Sequence, residues 1–195
     1  DAVVTDGRYY AGLFGNAADA QIQNFELTGN IYADLTDVPN GSYIGSVAGC
    51  ASDTGIESVN SRVDISHIGN DGNVFIGGIT GCISTFDGAC AIKSCSYSGA
   101  INISANHGCN DVNIGGIAGY TDYAVLINCA VSGSLTASLP ENSKDLNFVG
   151  GIVGSANGSG ADSGILNSFC LSVIDVSSST NDAYVGGIAG GLADS

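Results

Sequence analysis

One seven-residue phrase recurs six times along the chain, and no other feature restricts its fold as much. The copies are YYAGLFG at residues 9–15, YIGSVAG at 43–49, FIGGITG at 75–81, NIGGIAG at 113–119, FVGGIVG at 148–154 and YVGGIAG at 184–190. Their starting points lie 32 to 38 residues apart. A repeat of that length marks stacked supersecondary units, none of which can close a core alone.

A second segment follows five of the copies, at residues 22–33, 56–66, 92–104, 126–138 and 165–177. Within each, an Ile or Leu returns nine residues on: Ile22/Ile31, Ile56/Ile65, Ile92/Ile101, Leu126/Leu135 and Ile165/Ile174. Apolar residues alternate with small polar ones, β-branched residues are common, and no helical period is sustained, so these are strands. Polar connectors rich in Asn, Asp, Gly and Ser close the repeats, at residues 34–42, 67–74, 106–112, 139–147 and 177–183. Variable connectors on an invariant frame predict one all-β domain over residues 1–195. The expected fold is a parallel β-solenoid of about five coils, right-handed by the crossover preference of parallel strands.

Stacking should align like residues about 4.8 Å apart. The expected columns are Ile44, Ile76, Ile114, Val149 and Val185, then Val47, Ile79, Ile117, Ile152 and Ile188, then Ile22, Ile56, Ile92, Leu126 and Ile165. Tyr9, Tyr43, Phe75, Phe148 and Tyr184 should form a column of rings, interrupted by Asn113. Ile76 and Ile79 are three apart, as are Ile114 and Ile117, so a regular strand would point them to opposite faces. The pairs Gly77-Gly78, Gly115-Gly116, Gly150-Gly151 and Gly186-Gly187 predict a corner that turns both apolar positions to one core. A strand buried on both faces is the alternative.

The GGIxG phrases, with Asn128-Cys129 and its near matches Ser94-Cys95 and Asn167-Ser168, resemble the GLUG motif of bacterial surface proteins. That resemblance spans nearly the whole chain. It implies a β-solenoid in a large exported, adhesin-like protein, carries no catalytic residues, and points to an extracellular or cell-surface location. The first two copies depart from it, with Ala11-Gly12 and Gly45-Ser46 in place of Gly-Gly.

Four Lys+Arg stand against 19 Asp+Glu, a formal net charge of −15. Nucleic acid and anionic membrane surfaces both require a basic footprint, so neither is an expected partner. No apolar run reaches the roughly 18 residues of a spanning helix, and no membrane insertion is expected. The absence of an initiator Met and of a signal peptide suggests a processed chain or an excerpt.

Seven cysteines contain no CxxC pair. Cys95 and Cys129 fall at equivalent strand positions in adjacent coils, where they either bridge or fill core columns as thiols. Cys50 and Cys82 both follow the anchor Gly, and Cys90 and Cys109 are a further potential bridge. His67 and His107 are read as connector residues without a third metal ligand. Asp and Asn residues of the turns, including the run at residues 69–73, fit turn chemistry better than a calcium loop. No metal, cofactor or catalytic constellation is legible.

The sequence therefore predicts a non-catalytic structural or adhesive segment, with a glycan or protein of a host or matrix as ligand. A carbohydrate-active or carbohydrate-binding module is the alternative, to be recognised by a groove holding two carboxylates and an aromatic. The final phrase at residues 184–190 lacks a following second segment. Open columns there predict ends that are either completed by further repeats in the native protein or joined end to end between subunits, as in a filament.

Overall fold

The computed structural model describes residues 3–5, 7–35, 38–69, 72–86, 90–105, 109–139, 146–158, 163–178 and 182–193. All regular structure among them is strand, arranged as an all-β parallel solenoid of about five turns. Each phrase supplies an anchor strand and a return strand. The anchor strands are Arg8–Ala11, Ser42–Gly45, Val74–Gly77, Val112–Gly115, Asn147–Gly150 and Ala183–Gly186. The return strands are Phe14–Ala18, Ala48–Ser52, Thr80–Ser84, Ala118–Asp122, Val153–Asn157 and Ala189–Ala193. The second segment forms a long side. It is continuous as Gln21–Leu35 and Gly55–Gly69 in the first two coils, and broken into three shorter strands in the next three.

The strands stack in parallel and in register. Ile44, Ile76, Ile114, Val149 and Val185 share one column. Ile22, Ile56, Ile92, Leu126 and Ile165 share another. In the column between anchor and return strands, the amide of each residue donates to the carbonyl of the next: Val47 to Ile79, Ile79 to Ile117, Ile117 to Ile152 and Ile152 to Ile188. Ile44, Ile76, Ile79, Ile114 and Ile117 are fully buried. Full burial of one such side chain stabilises by about 1.5–3 kcal/mol, so every added coil closes the one below it.

The corner is present, and contact rather than unusual torsion explains its glycines. None of the paired glycines has a positive φ. A Cβ on Gly78 would instead strike the Tyr97 ring and the backbone of Gly116. The apex of the phrase is thus pressed onto the long side. A Cβ on Gly81 would meet the Ile44 amide nitrogen and the Phe75 carbonyl oxygen, because anchor and return strands lie backbone against backbone. In the second coil Ser46 holds the apex and donates to the Gly78 carbonyl at 2.5 Å. There the position in register with Tyr97 is the small Ser61.

Two expectations change, and a third feature is new. The first coil lacks one corner residue, so Tyr10, not Tyr9, pairs with Tyr43, and Ala11, not Tyr10, enters the isoleucine column. Phe14 correspondingly pairs with Ala48. The strands also run further than the connectors predicted. His67 lies inside Gly55–Gly69, fully buried, with its Nε2 3.4 Å from Ser42 Oγ. His107 lies outside the described residues. Thirdly, Asn24, Ser58, Ser94, Asn128 and Asn167 all have positive φ, between 49° and 63°. These five occupy one register position, so the long side bends at the same place in every coil. Asn, and less readily Ser, accepts that left-handed geometry at small cost, which accounts for the residue types found at the bend.

The two ends differ. Val3–Thr5 turns back antiparallel along Arg8–Ala11 and occupies that edge. At the other end Ala183–Gly186 and Ala189–Ala193 form a half coil with no long side beyond them among the described residues.

Candidate functional site

Anchor-strand residues alternate between the core and the outer surface. The outward position carries a ring in most coils, because parallel register places ring on ring. Tyr10 stacks on Tyr43 with centroids 5.0 Å apart and planes 18° apart. Tyr43 stacks on Phe75 at 5.0 Å and 27°. Further on, Phe148 stacks on Tyr184 at 5.3 Å and 24°. Asn113 pairs with both Phe75 and Phe148 and leaves one rung of this ladder without a ring.

Two features answer that gap. Tyr120, from the adjoining return strand, leans toward Phe75 with centroids 5.7 Å apart and planes at 52°. Beside it a cleft of about 610 Å³ opens, walled by Phe75, Tyr120 and Phe148. Asp111, Asn113, Leu146 and Ser155 complete its lining. Asn113 is 4% exposed, and its side-chain oxygen has no hydrogen-bond partner. A buried carboxamide oxygen without a partner is costly, and native structures rarely leave one so. The described lining holds one carboxylate, Asp111, whereas glycoside hydrolysis ordinarily uses two.

Next along the same outer face sits a pair of sulfurs. Cys50 and Cys82 are in register on adjacent return strands. A hydrogen bond from the Cys82 thiol is the main influence holding Cys50 below the usual thiol range, and Arg8 assists. That same bond, followed by burial, pushes Cys82 well up. Burial is also the first cause that raises Tyr43 to about 12, with the Cys82 sulfur second.

Of the two alternatives for the paired cysteines, bridge or buried thiol, the structure has thiols throughout. Cys95 donates to the carbonyls of Lys93 at 3.2 Å and Ile56 at 3.6 Å. Cys129 donates to Ile92 and Ile127, both at 3.5 Å. In-register parallel side chains point the same way, so each sulfur finds a backbone carbonyl rather than its neighbour. Burial pushes the Cys95 thiol up to about 12 and raises that of Cys129. Cys90 opens a strand and donates to Ser84 at 2.9 Å; it does not bridge Cys109.

The acidic turn residues are engaged locally. Asp53 accepts from Thr85 Oγ1 at 2.8 Å and the Phe86 amide at 3.0 Å, and Asp122 accepts from Asn157 at 3.0 Å. Asp71, Asp87, Asp145 and Asp162 lie outside the described residues. Among the described residues no group of three His, Cys, Asp or Glu could hold a metal ion, and no helix is long and apolar enough to cross a membrane.

The predicted structural residues fall into two sets. A Cβ on Gly77, Gly78, Gly115, Gly116, Gly150, Gly151 or Gly186 would strike neighbouring atoms at the corner, while Gly187 faces open space. The sequence reading missed Tyr120. The residues in register with it are Cys82 and Ser155, so a ring appears on the return strand in the coil whose anchor strand lacks one. The chain matches no protein-family model, no curated protein and no solved structure.

Proposed function

We propose that this chain is a non-catalytic adhesive segment of an extracellular or cell-surface protein, built from GLUG-like repeats. The observation that carries the reading is the outer face. Partly exposed rings from successive coils form a ladder there, while the apolar columns that hold the fold are closed inside. Aromatic surface of that kind contributes large contact area at low entropic cost, and a stacked array holds it rigid. The formal charge of −15 favours neutral or cationic partners over polyanions. The single carboxylate in the described cleft lining supports binding without turnover.

Binding of the whole chain to immobilised polysaccharides, mucin and matrix proteins tests this reading, with reducing-end release followed in parallel. Saturable retention without release is the expected result. Reproducible polysaccharide cleavage, abolished by one Asp or Glu substitution, would make the chain an enzyme. Retention on none of these surfaces would end the adhesive reading.

End-to-end association is a second reading, favoured by the exposure of Val185, Ile188 and Leu192 on the final half coil. Sedimentation over rising protein concentration tests it. A monomer throughout would dismiss it.

A further inference from the structure

We infer that the missing rung at Asn113 is a binding slot for the ring of a neutral pyranose sugar. This rests on the adhesive reading and names the partner and the place of contact.

The first argument is dimensional. Phe75 and Phe148 are each in register with Asn113, one on either side. Two strand spacings separate their positions, about 9.6 Å, room for one flat body between two rings. Everywhere else along the ladder that space is filled by the next ring. Among the described residues only this rung holds a smaller side chain; the Tyr120 ring leans over part of the space beside Phe75, and the cleft that remains, about 610 Å³, lies within the range of small-ligand sites.

The second argument is chemical. The slot is apolar along its faces, with Phe75, Tyr120 and Phe148, and polar along its lining edge, with Asp111, Asn113 and Ser155. A pyranose has the same division. Its C–H bonds lie on the faces of the ring, and its hydroxyls project from the rim. The Asn113 oxygen is unpartnered and shielded from solvent in the cleft, and a sugar hydroxyl that enters past the rings would give it the donor it lacks. A partner's phenylalanine would fill the faces but leave that oxygen unpartnered, and a tyrosine or tryptophan brings a single donor where a pyranose rim brings several, which makes an aromatic side chain the poorer occupant. Asp111, within a chain of charge −15, opposes uronic or sialic acids and selects a neutral hexose or N-acetylhexosamine.

The test uses the whole chain labelled with nitrogen-15, titrated with methyl glycosides of glucose, galactose, mannose and N-acetylglucosamine. Saturable shifts of the Asn113 side-chain amide signals are expected with at least one of them. Asn113→Phe restores the missing ring and should lower that affinity at least ~10-fold while keeping or raising the melting temperature, since it extends an existing stack. Phe148→Leu, which removes one wall, should weaken binding without filling the slot. Sugar affinity within about twofold of the parent in a folded Asn113→Phe chain would overturn the inference. So would a matrix-binding parent chain in which no glycoside moves the Asn113 signals; the adhesive reading would then survive without this slot. Stronger occupancy by 4-methylphenol than by every glycoside would assign the slot to an aromatic side chain of a partner instead.

Discussion

Val149 and Val185 are the same residue in the same phrase, in register and adjacent, yet Val149 is fully buried and Val185 is 52% exposed. Ile152 and Ile188 repeat the contrast, at 0% and 40%. Local sequence is nearly constant between the two coils. What differs is the long side, which closes over the phrase at residues 148–154 and has no described counterpart over residues 184–190. Burial in this fold is therefore a property of a coil's neighbours more than of its own residues, as expected of a one-dimensional array.

The sharpest break of that comparison comes from one substitution made twice. Gly78→Val forces a branched side chain into the Tyr97 ring and the next backbone. It should cost more than about 3 kcal/mol, read as a large fall in melting temperature. Gly187→Val meets nothing within 4 Å and should stay within about 0.5 kcal/mol of the parent. Equal effects would show that the corner is not set by contact with the long side.

Truncation grades the same contrast. Ile117→Ala opens a cavity in a fully buried column and should cost about 2–5 kcal/mol by denaturant titration. Ile188→Ala, 40% exposed, should cost about 1 kcal/mol or less.

Alkaline pH probes the middle coils through their tyrosines. Burial raises Tyr43 to about 12 and raises Tyr97, which donates to the carbonyls of Val63 and Ala100. Unfolded chains release these protons from about pH 10, while the folded chain retains them. Their contribution to stability is complete below that value and falls as pH rises toward 12. Melting temperatures across pH 8–12 should decline over the upper half of that range, and a flat profile would contradict the burial of these phenols.

Thiol chemistry gives the smallest effect. With the chain folded, iodoacetamide should label Cys50 first, since its thiol is partly exposed and its thiolate is favoured by the Cys82 hydrogen bond. Cys95 and Cys129 should label only on unfolding. Peptide mapping over time separates the two classes.

The repeat period, the apolar columns and the corner were legible because each depends on residues that recur at fixed positions. The register of the first coil was not, because Tyr9 and Tyr10 are both rings and the deleted residue lies beyond them at the corner. His67 escaped because a polar residue at a strand end resembles a connector until its column, which includes Ala33 and Ile103, is known. The cleft was half visible. Asn113 stood out as a gap in the rings, but Tyr120 belongs to another strand, and only the fold brings the two together.

The long side has a consequence for what such a chain can span. Its continuous strands contain fifteen residues, a contour of about 50 Å, while each coil adds only about 4.8 Å of height. A helix would climb the same height with about three residues. Lengthening this array therefore gains breadth of face far more readily than distance. The molecule is built as a tile rather than a tether. Additional repeats would multiply the rungs offered side by side at about 4.8 Å intervals.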